Sequence, residues 1–210
     1  MADAEVDTKV YISYEWVHKL CQKAAQDILP FDPNVIVAIG GGGFIPARIL
    51  RTFLRAGGKK NIPIQAIGLS LYESLGTEEY EEKIGKEVIR TQWLDFSSLQ
   101  QHKVELIGKN ILIVDEVDDT RTTLHYAVTE LQKDLDELAQ KLNRTEEKTT
   151  ISVFVLHNKN KPKKADLPKE MFDNGHYFAA ETVGDDWCCY PWEADDIDEH
   201  TRRARAQGNI

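Results

Sequence analysis

At 210 residues, with 41% apolar and 29% charged side chains, the chain has the composition of a globular protein long enough for a sizeable core. Its net charge of −9 argues against general nucleic-acid binding, which depends on clustered Lys and Arg. No apolar run approaches the ~20 residues that span a bilayer. Three cysteines, one pair of them adjacent, suggest neither a disulfide framework nor a metal-ligand spacing, which fits a reducing, cytoplasmic setting.

Met1 to Lys9 is polar and acidic, expected to be disordered, and is neither a secretory signal nor an Arg-rich transit peptide. Tyr11 to Leu29 reads as a helix, with Ser13 as its N-cap and Val17, Leu20, Cys21, Ala24 and Ile28 at helical spacing. Val35 to Ile39 is a buried strand. Gly40-Gly41-Gly42-Gly43 follows, and Pro46 suits the first turn of the next helix. Four glycines between strand and helix permit close backbone approach to a ligand, or simply a tight turn. No Gly-Lys-Ser/Thr follows, which excludes a Walker A loop, and Ile45 stands where a dinucleotide fingerprint needs its third glycine. Ile62 to Leu71 and Glu87 to Leu94 read as a strand hairpin. The long polar connection between them, Ser74 to Lys86, is a lid candidate.

Asn110 to Val114 is a strand buried on both faces, and the acids Asp115 and Glu116 follow at once. Asp118 reads as solvent-facing. A hydroxyl-rich turn, Thr120 to Thr123, leads into a helix, Thr122 to Leu142, with Leu124, Val128, Leu131, Leu135, Leu138 and Leu142 on one stripe. Further strands are expected at Thr150–Leu156 and Tyr177–Val183, then an aromatic-rich segment and a basic helical tail from His200 to Gln207. Read without further context, Lys159 belongs to a solvated cluster, Lys159 to Lys164, and Trp187 fits either a core or a ligand role. The alternation of strands and helices predicts an α/β fold with a mostly parallel central sheet flanked by helices. In such sheets ligands bind beyond the carboxyl ends of the strands at the switch point, so the tetraglycine loop and the acid-rich loop are expected to flank one crevice. The acids can serve sugar hydroxyls or a metal ion, and the loop amides and Thr hydroxyls a phosphate.

The stretch Asp115-Glu116-Val117-Asp118-Asp119-Thr120-Arg121-Thr122-Thr123 resembles the phosphoribosyl-diphosphate (PRPP) signature of type I phosphoribosyltransferases. From about Tyr11 to Gln207 the chain is similar to the fungal purine phosphoribosyltransferases, most closely those specific for xanthine, with the hypoxanthine-guanine enzymes close behind. Residues 62–73, 85–95, 154–159 and 189–192 carry the closer match.

The resemblance implies a single phosphoribosyltransferase domain over 1–210, with a flexible lid hairpin at 70–90 and a base-binding hood at 177–210, the hood built from the terminal segments. It implies transfer of phosphoribosyl from PRPP to N9 of a 6-oxopurine, giving a nucleotide. Asp115 and Glu116 would bind the ribose hydroxyls. Asp119, Thr120, Arg121, Thr122 and Thr123 would wrap the 5′-phosphate, with Asp119 also acting as general acid/base near N7. Gly40, Gly41, Gly42 and Gly43 would bind pyrophosphate, with a cis non-proline peptide among them. Ser70, Leu71 and Tyr72 would belong to the lid. Lys159, Trp187 and Cys188 would hold the purine. Glu193, with Asp115 and Glu116, would hold Mg²⁺. The family usually dimerises, so a homodimer is expected, with no nucleic-acid or membrane partner. Two residues depart from the family's pattern. Arg121 replaces a glycine, so it must tolerate φ > 0 or the backbone must take another path, with a cation added near the 5′-phosphate as one outcome. Gly41 replaces an Arg or Lys, removing one positive contact to pyrophosphate. A non-catalytic PRPP-sensing regulator is the reading from a different functional class.

Overall fold

The computed structural model of the protein describes residues 9–55, 61–71 and 88–210, without the Leu71 side chain. Tyr72 and most of the expected lid lie outside the described residues.

The chain runs β1 (Lys9–Tyr11), α1 (Tyr14–Ile28), β2 (Val35–Gly40), α2 (Phe44–Leu54), β3 (Ile64–Leu71), β4 (Val88–Gln92), α3 (Phe96–Gln101), β5 (Asn110–Asp118), α4 (Thr122–Lys141), β6 (Thr150–Lys159), α5 (Lys169–Asp173), β7 (Tyr177–Val183), β8 (Trp187–Cys189) and α6 (Ile197–Ala206). Six strands form one sheet in the order β4-β3-β2-β5-β6-β7, parallel except for the β3–β4 hairpin. The mostly parallel α/β architecture is therefore as expected.

Side chains alternate across the sheet and feed two cores. Val35, Val37, Ile39, Ile111 and Ile113 pack on the α4 stripe, joined by Leu99 of α3 and Met171 of α5. Ile36, Ala38, Leu112, Val114 and Phe154 pack on α1 and α2. The base of the hairpin is tied to α4: Arg90 Nε donates to Tyr126 Oη at 3.2 Å, and Trp93 Nε1 to Asp134 Oδ2 at 2.6 Å.

Several elements differ from the sequence reading, and β6 runs on to Lys159 rather than ending at Leu156. Tyr11 belongs to β1, and α1 begins three residues later because Ser13, extended at φ −81° and ψ 159°, accepts the Trp16 N–H. Asp95 caps α3 in the same way, a short helix that had no periodic signature. α6 begins at Ile197, where Asp196 accepts from Asp198 and Glu199. β5 runs on through Asp115 and Glu116 to Asp118, because β6 continues beside it, with Asp118 opposite Asn158.

A second, two-stranded sheet pairs β1 with β8, Val10 lying opposite Cys188. α6 seals it: His200 Nε2 lies 2.8 Å from the Ile12 carbonyl, and Asn209 Nδ2 donates to the Tyr11 carbonyl at 3.0 Å. A buried polar chain joins this hood to the sheet. Tyr190 Oη donates to the Glu116 carbonyl at 3.1 Å and lies 2.9 Å from His157 Nδ1. Because the phenol hydrogen is committed to Glu116, the imidazole carries its proton on Nδ1. Its other nitrogen lies 3.5 Å from Glu181 Oε2, a contact too long and too exposed to outweigh burial. Burial pushes the His157 pKa down from 6.5 to about 4.

This sets a pH dependence. Above pH 6.5 neither state protonates His157. As pH falls from 6.5 towards 4, the unfolded chain takes up a proton that the native protein refuses, and the native state loses stability. The contribution is at most about 1.4 kcal/mol per pH unit in that window. Urea unfolding of His157→Gln is expected to show a flatter decline of stability over that range than the parent. Equal slopes in the two proteins would mean that the native imidazole is not held neutral.

Candidate active site

The strand order reverses between β2 and β5, so the loops that follow these two strands face each other. The tetraglycine loop follows β2 and the acid-rich turn follows β5; they flank one crevice, as expected. A Cβ on Gly42 would lie 1.8 Å from the Glu116 carboxyl carbon, and one on Gly43 2.3 Å from the Val114 carbonyl. Gly43 excludes any side chain because backbone surrounds it, whereas at Gly42 a side chain would have to displace the Glu116 carboxyl. Gly41 faces open space, so the missing Arg or Lys there leaves room rather than a packing defect. The Gly40–Gly41 peptide is cis.

On β5, Asp115 Oδ1 accepts the Glu116 N–H at 2.9 Å. Burial, and next the charge of Glu116, push the Asp115 carboxyl well above the usual carboxylate range. Glu116 Oε2 is buried without a hydrogen-bond partner. The Glu193 carboxyl, in the turn after β8, is raised by burial and by Glu116, so the two face each other electrostatically. Asp196 is occupied as the α6 cap.

Beyond β5 the chain turns at Arg121, which has φ 69° and ψ 0° and caps α4. An L-residue meets a cost of about 1–2 kcal/mol in this left-handed conformation. Arg121 thus keeps a glycine-like backbone. Its guanidinium does not point into the crevice; Asp118 Oδ2 accepts from Nε at 2.9 Å and from Nη2 at 2.8 Å. Asp118, expected to face solvent, is 1% exposed: it is the last residue of β5, covered by Arg121, Lys163 and Tyr177. The Thr120 and Thr122 hydroxyls meet at 3.0 Å. Thr123 lies in the first turn of α4.

The third wall comes from β6 and β7. Lys159 ends β6 and is 6% exposed, not one more surface lysine. Its Nζ lies 3.7 Å from Asp119 Oδ1 and 3.9 Å from Asp185 Oδ1. It also sits 5.9 Å from the centre of the Trp187 ring. Trp187 is 66% exposed and belongs to no core; it presents a free aromatic face beside that ammonium. Cys188 is buried, and burial raises its thiol pKa, so a contact from this residue to a ligand would come from its backbone. Ser70 lies near the end of β3, and Leu71 is its last residue.

Several participants were not singled out in the sequence. Lys161 Nζ bridges Asp119 at 2.8 Å and Asp185 at 2.6 Å. Both partners raise the Lys161 pKa, and Lys161 lowers that of Asp185. Lys163 donates to the carbonyls of Asp118, Asp119 and Lys159 at 2.7, 3.0 and 2.8 Å. The lysine cluster was visible in the sequence, but its alternation between buried and exposed positions was not.

The crevice therefore offers a carboxyl with one buried, unpartnered oxygen against a glycine loop, a hydroxyl-lined helix N-terminus, and a buried ammonium beside an open aromatic face. Such parts suit a sugar, a phosphate and a flat polar base respectively.

No protein-family model matches the chain. Among curated proteins it is 63% identical over 203 residues to xanthine phosphoribosyltransferase 1 of Saccharomyces cerevisiae, covering 96% of this chain and 97% of that one. It is 61% identical over 203 residues to the hypoxanthine-guanine phosphoribosyltransferase of Schizosaccharomyces pombe, with the same coverage. Among solved structures it is similar to a hypothetical protein from Neisseria gonorrhoeae with bound ppGpp, at TM-score 0.73 and 37% identity over 97% of this chain and 99% of that one. A purine phosphoribosyltransferase from Pyrococcus horikoshii shares the fold at TM-score 0.60 and 21% identity, over 90% of this chain and 97% of that one. Near-full-length identity of this order to two such enzymes, on the fold and crevice described, means that the chain belongs to the purine phosphoribosyltransferases.

Proposed function

We propose that the protein is a purine salvage enzyme that transfers the phosphoribosyl group of PRPP to N9 of xanthine, releasing pyrophosphate and forming XMP. One observation carries the reading: the half-buried Glu116 carboxyl, its Oε2 buried without a hydrogen-bond partner, is seated against Gly42, in the same crevice as the Thr120–Thr123 turn and the Lys159–Trp187 pair. The ppGpp held by the Neisseria protein is a phosphorylated purine nucleotide, which supports a ligand of that class. Transfer to hypoxanthine and guanine is the second reading, since the hypoxanthine-guanine relative is almost as similar.

In this reading Asp115 and Glu116 accept hydrogen bonds from the ribose hydroxyls, and Thr120 to Thr123 bind the 5′-phosphate through amides and hydroxyls. The Gly40–Gly43 backbone binds pyrophosphate. The donor set fits Mg²⁺, which keeps several waters and needs only one or two carboxylates beside substrate oxygens. Among the described residues no group of three or more His, Cys, Asp or Glu is placed to hold a metal ion by itself, so one or two of Asp115, Glu116 and Glu193 would hold it together with substrate oxygens. When bound, it offsets the charge of the pyrophosphate.

As the bond from ribose C1 to pyrophosphate lengthens, the sugar gains positive charge, which the carboxylates of Glu116 and Asp119 favour. N9 attacks from the opposite face and inverts the anomeric centre. Asp119 takes the purine N7 proton, with Lys161 ready to neutralise the carboxylate in the resting site. Lys159 donates to the 6-oxo group, and the Trp187 ring stacks on the base. Closure of residues 70–90, Ser70, Leu71 and Tyr72 among them, excludes water from the oxocarbenium-like centre. A homodimer, which rests on the family resemblance alone, and a cytoplasmic setting, which rests on the cysteine usage, belong to the same proposal.

The test is a PRPP-dependent assay with xanthine, hypoxanthine and guanine supplied separately. Xanthine is expected to give the highest kcat/KM. Preference for guanine or hypoxanthine would install the second reading, and no pyrophosphate release with any base would point to a PRPP-sensing regulator. Asp119→Asn is expected to lower kcat by about 10²–10⁴-fold, while the KM for PRPP stays within about 3-fold. An unchanged kcat would remove Asp119 from acid/base catalysis. Lys159→Ala is expected to raise the purine KM about tenfold, the scale of one lost charge-assisted hydrogen bond. An unaltered KM would return Lys159 to a structural role.

A further inference from the structure

The phosphate loop contains one residue in a conformation that its chemistry disfavours. Arg121 sits at φ 69°, in the left-handed region, directly between the two threonines whose hydroxyls meet at 3.0 Å. If its backbone relaxed to a right-handed or extended geometry, the chain direction would change between Thr120 and Thr122, and the two hydroxyls would part. Something must hold Arg121 where a glycine would rest unaided.

The restraint surrounds the guanidinium. The Asp118 side chain is wholly buried. Its Oδ2 accepts two bonds from Arg121, at 2.9 and 2.8 Å, and one from Tyr177 Oη at 2.6 Å. The guanidinium also lies 5.2 Å from the ring centres of both Phe172 and Tyr177, which stand 5.1 Å apart on one side of it, so it is held on its edge by charge and flanked by two aromatic rings. Lys163 completes the arrangement. Its ammonium lies 3.5 Å from Asp118 Oδ1 and donates to three carbonyls at the ends of β5 and β6. The Lys164 N–H adds a bond to the Thr120 carbonyl at 3.0 Å.

We propose that Asp118 is a positioning residue for phosphoribosyl transfer: with Tyr177 and Lys163 it anchors the Arg121 side chain, and the anchored side chain holds the phosphate loop in its left-handed turn. The anchor replaces conformational freedom by a tether. This rests on reading residues 119–123 as the 5′-phosphate loop, and the experiment separates failure of the two ideas.

The sharpest comparison is Arg121→Gly with Arg121→Ala. Glycine needs no tether, so Arg121→Gly is expected to show a KM for PRPP about tenfold below that of Arg121→Ala. Alanine has neither tether nor tolerance, so Arg121→Ala is expected to raise that KM about tenfold, with kcat within about 3-fold. Asp118→Ala is expected to match Arg121→Ala, and the double variant Asp118→Ala/Arg121→Gly to recover towards Arg121→Gly. Amide hydrogen exchange of residues 119–123 in the ligand-free protein should follow the same order, faster in Arg121→Ala and Asp118→Ala than in the parent and the double variant. A purely structural role for Asp118 would leave the double variant as impaired as Asp118→Ala. Equal KM values and equal exchange for the glycine and alanine variants at 121 would overturn the proposal, even if Asp118→Ala fails to fold. Thr122→Val reports on the loop itself: an unchanged KM for PRPP there would discard the phosphate reading, while the exchange data would still judge the tether.

Discussion

Everything in the crevice depends on how far β5 is paired on each side. On one flank β2 pairs with it only from Val35–Ile111 to Ala38–Val114, then parts from it and stays with β3 to Gly40–Gly68 before the glycine loop. On the other flank β6 stays with it to Asp118–Asn158. The last four residues of β5 thus have a strand beside them on one side and, among the described residues, none on the other. Acids placed there sit on a strand, with the fixed geometry that implies, yet no second strand covers them. The open side is satisfied by side chains: Asp115 Oδ1 takes the Glu116 N–H and Tyr190 Oη donates to its carbonyl, while Gly42 of the glycine loop lies against the Glu116 carboxyl.

The two halves of the crevice handle charge in opposite ways. Around Asp119, Lys159, Lys161 and Asp185 the charges are mutually compensated, two cations against two anions within 4 Å. Around Asp115, Glu116 and Glu193 no cation answers the carboxylates among the described residues, and burial raises the Asp115 and Glu193 carboxyls. A protein with net charge −9 does not attract a polyanion from a distance. A diphosphate, as proposed for this crevice, would be held by short-range donors, by oriented amides, and by a cation brought into the acidic half.

The sheet was legible because its strands are buried on both faces and read as unbroken β-branched runs, and the α4 stripe because six leucine and valine positions repeat at helical spacing. The pairing of the glycine loop with the acid-rich turn followed from strand connectivity. Other features depend on tertiary context that one sequence does not display. The extent of β5 is set by β6, not by its own hydropathy. Asp118 looked solvated because it stands in an acidic run, yet its partners Tyr177 and Lys163 lie 59 and 45 residues away. The cluster from Lys159 to Lys164 has one composition but three fates, since each lysine is assigned by what the end of β6 leaves it facing. Tyr72 and most of the lid lie outside the described residues.

The hood closes the chain on itself. Tyr11 and Gln207 are 196 residues apart in sequence and 2.7 Å apart in space, and among the described residues β1 has only β8 as its strand partner. The small sheet therefore cannot pair until β8 has been made. Contacts of such separation form late, because loop closure must precede any gain from them. The two walls of the crevice thus differ in the kind of contact they depend on: the β2 and β5 loops rest on neighbouring strands of the main sheet, and the wall that carries Trp187 rests on a closure across almost the whole described chain.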